Sequence, residues 1–358
     1  MVFRSLFVAL LVCVSVRTVQ ADASKFLYVT LLEEKKIVCY DRDSDTGALE
    51  RKSEFACPAE PGVLCVSPDK KFLFTAFRSS GELASFRIDP ESGRLTHLST
   101  VSGGDDPCYL VVDHTKKFLL AAYYIGNKVT VHHIDDDGKL SQQPIQTAPT
   151  GKNAHGIAVD SKNEMVFVTH TGANRVYQFK FDDTNGKLSA SSTPFIELSP
   201  GDEPRHAAMH PSDKWLYANN EAGDGLNVFT VNRASVSLQR TQKVPSLPSD
   251  FDKTKNATAR CEITRNGKFI YVANRGHNSI AGYAIDQESG RVQSLGQFAT
   301  EKTPRSFTIT PDGRFLYAAG QGSGKIALYE IETDGALTQK RTYTPGPVPW
   351  CVLAVDLD

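Results

Sequence analysis

The sequence contains few methionines and almost no net charge, and each shortage argues against a class of protein. Three Met among 358 residues leave little material for an adaptable, Met-rich binding surface. Lys and Arg number 40 against 41 Asp and Glu, a formal net charge of −1, so nothing favours nucleic-acid binding. With 40% hydrophobic and 23% charged residues, the composition is that of an ordinary globular protein rather than a disordered, collagenous or polytopic membrane chain.

Common catalytic and metal-binding motifs are also missing. The sequence has no G-x-S-x-G elbow, no H-E-x-x-H pair and no glycine-rich phosphate loop. No two cysteines form a C-x-x-C pair and no histidine stands at zinc-finger spacing, so a zinc site is not expected. We expect buried free thiols, acting as small hydrophobic residues, at the six cysteines after residue 21: Cys39, Cys57, Cys65, Cys108, Cys261 and Cys351.

Residues 1–21 have the features of a secretory signal peptide. Arg4 precedes an apolar run from Ser5 to Val16, and Val19-Gln20-Ala21 places small residues where signal peptidase cleaves. The run is too short to span a bilayer comfortably, although an uncleaved anchor stays open as an alternative. The prediction is an exported protein, periplasmic or extracellular, without membrane attachment after cleavage. Residues 22–358 then form a single domain with a net charge of −3.

The remaining sequence repeats seven times. An aromatic or Met residue opens a short apolar run at Phe26, Phe72, Phe118, Met165, Trp215, Phe269 and Phe315. Each run is followed by a second alternating apolar run, as in KIVCYD and ELASFRID, and six of these lead into a turn with glycine. Alternation predicts β-strands, glycine in the turn predicts hairpins, and no segment after residue 21 shows a helical period.

A third apolar run precedes each repeat except the first, and the missing copy stands at the C-terminus as WCVLAVDLD. A four-stranded blade repeated seven times, with the last strand completing the first blade, closes a β-propeller and removes its free edges. An open solenoid would need caps instead of a displaced strand. The fold prediction is therefore all-β, a seven-bladed propeller in which the C-terminal strand pairs with the strand beginning at Phe26.

This topology predicts two rings of residues at one mouth of the central channel. Ten residues before each repeat aromatic, or by analogy in the last strand, stand Gly62, Cys108, His155, Arg205, Ala259, Arg305 and Trp350. Six residues after it stand Leu32, Arg78, Tyr124, Thr171, Glu221, Arg275 and Gln321. One arc is mostly small or apolar, whereas blades 4 to 7 concentrate histidine, glutamate and arginine. The charged arc is the candidate functional site.

At these residues the sequence resembles the lactonase family of seven-bladed propellers, which includes bacterial 6-phosphogluconolactonase and fungal carboxymuconate cyclase. The resemblance covers nearly the whole chain after the signal. It is carried by Pro204-Arg205-His206, by Glu221 at the end of LYANNE, by Asn274-Arg275-Gly276, and by Pro304-Arg305-Ser306-Phe307 with Gln321. His155 matches the last histidine of the family's His-rich segment.

The resemblance implies a catalytic group of His155, Arg205, Glu221 and Arg275. His155 suits a general base, and Glu221 either shares that role or orients the histidine. Arginines suit an oxyanion or a carboxylate. Arg305, Gln321, His206 and Arg260 are expected to bind substrate, although Arg260 stands where the family has an acid. For each of these residues a purely structural role, such as an ion pair between blades, stays open.

The expected function is hydrolysis of a sugar-acid lactone at the channel mouth. The partner is a small lactone or carboxylate, and the protein is expected to be a monomer. Because Glu221 is the only carboxylate on the two rings, the sequence favours a mechanism with no metal and no cofactor. Two alternatives stay open: a cyclase that closes a lactone from an unsaturated diacid, and a non-catalytic propeller that binds a ligand or protein at its mouth.

Overall fold

A computed structural model describes residues 24–357, so the predicted signal peptide lies outside the described residues. Within them, 28 strands form seven four-stranded sheets, and every pair of neighbouring strands is antiparallel. The one helical segment there is a three-residue 3-10 turn, Lys253–Lys255. Alternating apolar runs thus became strands throughout, as the two-residue periodicity predicts.

The strands are numbered along the chain. Blade 1 contains β1 Lys25–Leu31, β2 Lys36–Arg42, β3 Leu49–Ala56 and β28 Pro349–Asp356; blade 2 contains β4 Pro61–Val66, β5 Phe72–Phe77, β6 Glu82–Ile88 and β7 Leu95–Ser102. Blade 3 contains β8 Pro107–Val112, β9 Phe118–Tyr123, β10 Lys128–His133 and β11 Gln146–Pro149; blade 4 contains β12 Ala154–Val159, β13 Met165–His170, β14 Arg175–Asp182 and β15 Lys187–Glu197. Blade 5 contains β16 Pro204–Met209, β17 Trp215–Asn220, β18 Leu226–Asn232 and β19 Ser237–Val244; blade 6 contains β20 Thr258–Ile263, β21 Phe269–Asn274, β22 Ser279–Ile285 and β23 Val292–Ala299; blade 7 contains β24 Pro304–Ile309, β25 Phe315–Gly320, β26 Lys325–Ile331 and β27 Leu337–Tyr343.

The C-terminal strand closes the ring, as the displaced repeat predicts. Strand β28 pairs with β1 from Lys25 opposite Asp356 to Leu31 opposite Pro349. The buried Arg42 guanidinium of β2 forms an ion pair with Asp356, which ties the two ends of the described chain together. The closure leaves no sheet of the ring without its innermost strand.

The repeat aromatics and the turn glycines are two halves of one contact. In six of the seven blades, the glycine between the third and fourth strands has a positive φ of 65° to 86° and packs on the repeat aromatic of the preceding blade. The pairs are Phe26 with Gly93, Phe72 with Gly138, Phe118 with Gly186, Trp215 with Gly290, Phe269 with Gly335, and Phe315 with Gly47. A Cβ at any of these glycines would lie within 3 Å of the facing ring.

A tyrosine two residues after the repeat aromatic strengthens this contact in four blades. Tyr28 donates a hydrogen bond to the carbonyl of Gly93 at 2.9 Å, and Tyr217, Tyr271 and Tyr317 do the same to their facing glycines. Each such buried bond contributes about 1 kcal/mol. Seven apolar clusters, each shared by two neighbouring blades, form the rest of the core.

The six cysteines in the described part of the chain are unpaired, in agreement with the prediction. Four are buried, and Cys65 and Cys108 are half-buried. Burial raises the pKa of the Cys261 thiol to about 12, so this sulfur stays protonated at neutral pH. The cysteines therefore pack as small apolar residues, five of them within strands and Cys57 directly after β3.

Candidate active site

All seven innermost strands begin with the same irregularity, and it builds the channel mouth. In each blade the pairing between the innermost and second strands shifts register directly after the first residue of the innermost strand. In every blade the one or two residues skipped at this shift include the residue that the sequence assigned to the first ring. Because a β-bulge redirects a side chain, the repeat turns five first-ring side chains toward one opening, those of Cys108, His155, Arg205, Arg305 and Trp350.

A small cavity lies inside this opening. Its volume is about 40 Å³, which is room for water molecules only. It is lined by His155, Arg205, His206, Arg260 and Arg305 of the predicted site, together with Val63, Arg78, Cys108, Ser306, Trp350 and Cys351. The structure thus brings five of the eight predicted site residues into one cavity wall.

His155 lies in this wall with little contact to solvent. Its side chain is 6% exposed, and its Nδ1 has no hydrogen-bond partner. Its ring packs edge-on to Tyr124 at 5.7 Å and lies 5.0 Å from the ring of His206. Burial, with Arg205 and Arg305 close by, holds the pKa of His155 well below its usual value. The imidazole is therefore neutral at pH 7, with one ring nitrogen unprotonated, and it is a weaker base than a free histidine.

His206 is held in one tautomer by its neighbour. The Nη1 of Arg205 lies 3.1 Å from the Nε2 of His206, and because a guanidinium only donates, this nitrogen is the acceptor. The proton of the neutral ring therefore sits on Nδ1, which is buried and has no acceptor. Burial and the charge of Arg205 also lower the pKa of His206 well below its usual value.

Glu221 stands between two arginines. Its Oε1 accepts a hydrogen bond from the Nη2 of Arg275 and lies 3.4 Å from the Nε of Arg205. Burial would raise its pKa, but the charges of Arg205 and Arg275 outweigh burial and lower the pKa. No hydrogen bond in the described chain joins Glu221 to His155. The carboxylate is therefore ionised and fixes arginines of blades 5 and 6, rather than the histidine.

Arg275 makes three hydrogen bonds to its surroundings. Its Nε donates to the carbonyl of Ala257 at 3.2 Å and its Nη2 to the carbonyl of Thr258 at 3.0 Å, besides the bond to Glu221. The side chain lies beside the cavity and is not part of its wall. Arg275 thus supports Glu221 and the start of β20.

Arg305 differs from the other arginines of the mouth. Its guanidinium lies 3.6 Å from the ring centroid of Trp350, and no carboxylate in residues 24–357 pairs with it. Burial, with Arg205 and Arg275 nearby, lowers its pKa to about 8. The charge of Glu221 offsets only part of this effect, so an anion placed beside Arg305 gains free energy. Arg305 is the free cation of the site.

Two further arginines are already paired. Arg260 binds Glu262 through Nε at 3.0 Å, and Glu262 raises the pKa of Arg260 despite burial. Arg78 forms a two-pronged pair with Asp106, with both N···O distances 2.6 Å. Sequence reasoning gave Arg260 as a free substrate-binding residue and missed Glu262, which lies two residues away along the same strand and would have signalled the pair.

Gln321 is placed differently from the rest of the predicted group. Its backbone N–H donates to the carbonyl of Thr303 at 2.9 Å, but its side chain makes no hydrogen bond to the described residues and does not line the cavity. The structure leaves it at the rim of blade 7. Across residues 24–357, no group of three or more His, Cys, Asp or Glu side chains is arranged to hold a metal ion.

A larger groove adjoins the small cavity over blades 1 to 3. Its volume is about 680 Å³, which falls in the usual range for small-molecule sites. Arg78 and Trp350 line both spaces. The sequence predicted no groove here, because this arc of the two rings was seen only as mostly small or apolar.

Comparison with known proteins completes this description. The profile of the family described as "Lactonase, 7-bladed beta-propeller" matches residues 26–354. The chain belongs to this lactonase family. The seven blades are the architecture that the family's name describes.

Individual relatives of this lactonase-family chain are distant. It is 30% identical over 190 residues to the 6-phosphogluconolactonase of Bacillus subtilis strain 168, and 29% identical over 184 residues to that of Pectobacterium atrosepticum. These matches cover 50% and 51% of this chain and 53% and 54% of the relatives, so the chain spans about half the length of the curated relatives it matches.

Among solved structures, the Pseudomonas aeruginosa periplasmic gluconolactonase superposes with a TM-score of 0.86 at 23% identity. That superposition covers 94% of this chain and all of the other. At this identity the likeness shows a shared fold. In the part of the chain that the structure describes, no helix is long and apolar enough to span a membrane.

Proposed function

We propose that this protein hydrolyses a lactone at the mouth formed by His155, Arg205 and Arg305. The observation that carries the proposal is a buried, neutral imidazole and an unpaired guanidinium in the wall of one water-sized cavity. Opening a lactone with water requires a base for the water proton and a cation for the oxyanion. Membership of the lactonase family supports the same reaction.

The chemistry assigns one step to each group. A water molecule attacks the lactone carbonyl carbon while the imidazole of His155 accepts its proton. The carbonyl oxygen becomes an oxyanion beside the guanidinium of Arg305. The tetrahedral intermediate collapses, the ring C–O bond breaks, and the imidazolium returns the proton to the leaving alkoxide. The product is the open hydroxy acid, formed with one water consumed.

The other predicted residues hold this arrangement. Arg205 donates to His206 and to the carbonyl of Ala259, where the Nη1···O distance is 2.5 Å, and it faces Glu221. In this proposal Glu221 and Arg275 are positioning residues, because their bonds go to arginine and backbone. His206 presents a buried N–H donor on the same wall, where it orients water.

We also propose that the protein acts outside the cytoplasm. The sequence of residues 1–21 supports this, and so does the likeness in fold to a periplasmic gluconolactonase. An exported enzyme would meet lactones released from oxidised sugars instead of intracellular metabolites.

The test is an assay of proton release from a panel of δ- and γ-lactones at constant pH. Wild-type protein should hydrolyse at least one sugar-acid lactone well above the spontaneous rate, and chelator should leave the rate unchanged. An unsaturated diacid is added in a parallel assay, where loss of the alkene absorbance would indicate the cyclase reaction. Activity in neither assay would overturn the proposal in favour of a binding propeller.

A further inference from the structure

Trp350 lies at the start of the closing strand β28, where the pairing with β1 is irregular. The residues on either side of Trp350 pair with Thr30 and Leu31, which leaves Trp350 itself out of the register. A β-bulge redirects the side chain of such a residue, and here the indole lines both the small cavity and the adjoining groove. The bulge therefore places an aromatic ring at the boundary of the two spaces.

The backbone that leads to Trp350 has little conformational freedom. Three prolines precede it, at Pro345, Pro347 and Pro349, and each pyrrolidine ring fixes its own φ at about −65°. The carbonyl of Val348 accepts a hydrogen bond from the amide of Leu32 at 3.2 Å, which attaches this segment to blade 1. A proline-rich segment also loses less entropy when it becomes ordered. The position of the indole is therefore determined by the backbone as well as by its contacts.

The guanidinium of Arg305 rests on this indole. Its Cζ lies 3.6 Å from the ring centroid, and its N–H groups donate no hydrogen bond to a residue of the described chain. A carboxylate would also hold a guanidinium, but it would occupy N–H donors and neutralise the positive charge. The face of a tryptophan holds the planar group and does neither. Trp350 thus fixes Arg305 and leaves its donors available.

Arg78 shows the other way of holding an arginine in the same mouth. Its Cζ lies 5.3 Å from the centroid of the Trp350 ring, but its guanidinium donates to both carboxylate oxygens of Asp106 at 2.6 Å. Gly62 leaves room for the stem of this arginine, because a Cβ there would lie 3.0 Å from the Cγ of Arg78. Two arginines therefore lie beside one indole, and only Arg305 keeps its N–H donors free of a carboxylate.

We propose that Trp350 is a positioning residue for catalysis, whose indole holds the guanidinium of Arg305 in place with its N–H donors free for the oxyanion. The inference rests on the proposed lactonase function and adds a residue to it. A donor stabilises an oxyanion only at a suitable distance and direction, so a guanidinium that is free to rotate stabilises the transition state less. Because Trp350 belongs to β28, the strand that closes the propeller also completes the site.

The first experiment measures kcat and KM on the lactone of the panel that the wild type hydrolyses fastest. W350L removes the aromatic face, and it should lower kcat about tenfold with little change in KM, a part of the roughly 10²- to 10³-fold loss typical when an oxyanion donor is removed. W350F keeps a smaller face and should recover most of that loss. F195L is the matched control: it removes the ring over which Arg175 lies at 4.1 Å, on the outer strands of blade 4, and should keep the wild-type kcat.

The second experiment tests whether Trp350 acts through Arg305. R305K keeps a positive charge for the oxyanion but lacks the planar group that stacks on the indole. Adding W350L to R305K should lower kcat by less than about threefold, because the contact is already lost. Equal losses of kcat in the wild-type and R305K backgrounds would overturn the inference. A rise in KM with kcat unchanged in W350L would also overturn it, since Trp350 would then contact the substrate itself.

The third measurement needs no turnover. The Nε–H of Arg305 should give an NMR signal displaced upfield by the ring current of the indole, and the absence of that signal in R305K assigns it. The signal should return to the ordinary arginine range in W350L and stay displaced in W350F. An undisplaced signal in the wild type overturns the inference. A displaced signal in a protein that hydrolyses no lactone refutes the proposed function and leaves the contact between Trp350 and Arg305 in place.

Discussion

The mouth is built from charged side chains whose neighbours decide their roles. Arg78, Arg260 and Arg275 each have a carboxylate at hydrogen-bond distance, whereas Arg305 has only the face of Trp350. Arg305 is half-buried, and a partly desolvated cation without an anion is costly, so binding an anion recovers part of that cost. Of the arginines in the described mouth, Arg305 therefore has the most to gain from substrate.

Buried histidines should make stability depend on pH. Burial lowers the pKa of His170 from 6.5 to about 4, so between these values the unfolded chain binds more protons than the folded one. The free energy of unfolding is therefore greatest above pH 6.5 and decreases as pH falls toward 4. Chemical denaturation should show a loss of roughly 2 kcal/mol from this one residue between pH 7 and pH 5.

A variant isolates this contribution from that of the other groups. His170 lies in blade 4, where its Nδ1 contacts the carbonyl of Val168 at 3.1 Å. His170→Gln cannot take up a proton, so its stability should decrease less steeply between pH 7 and pH 5 than that of the wild type. Equal slopes for both proteins would show that His170 does not titrate as the structure implies.

At the scale of the elements, each hairpin glycine is a test of how neighbouring blades pack. Gly290 has a φ of +70°, and a Cβ there would lie 2.3 Å from the indole of Trp215. Gly290→Ala destabilises the fold in two ways. A side chain at this positive φ costs about 1 kcal/mol of backbone strain, and its clash with the indole costs about 1–3 kcal/mol. Thermal or chemical denaturation should show a loss of roughly 3 kcal/mol in total.

The control for this substitution is Gly313→Ala. Gly313 has a φ of +75°, but nothing lies within 4 Å of the position a Cβ would occupy. The free energy of unfolding of this variant should decrease only by the backbone strain, about 1 kcal/mol. If the two variants were equally destabilised, the contact between glycine and aromatic would contribute nothing beyond backbone conformation.

The sevenfold repeat made the strands and hairpins predictable from the sequence, but the contacts between neighbouring blades were not predicted. The repeat aromatic and the turn glycine are visible in the sequence, but their contact joins different blades and appears only in three dimensions. The bulge after the first residue of each innermost strand is likewise not encoded by an obvious motif. Because all seven blades carry this bulge, counting residues from the repeat aromatic still identifies equivalent ring positions.

At the scale of the whole molecule, the displaced C-terminal run predicted the closure between β28 and β1. The same count placed His155, Arg205 and Arg305 around one opening. The pairing of Arg260 with Glu262 and the groove beside Trp350 were not predicted, since both depend on side-chain directions and unfilled volume rather than on spacing. The sequence period thus predicted which residues lie at the channel mouth, whereas side-chain packing determined which of their charges lack a partner.

The most direct test of the central claim is the lactone hydrolysis rate of His155→Gln against that of His170→Gln. Both residues are buried histidines of blade 4, but only His155 lines the channel cavity. If the mouth is the catalytic site, His155→Gln should lower kcat about 10²- to 10⁴-fold with little change in melting temperature, and His170→Gln should keep the wild-type kcat. A wild-type rate in His155→Gln would contradict the account.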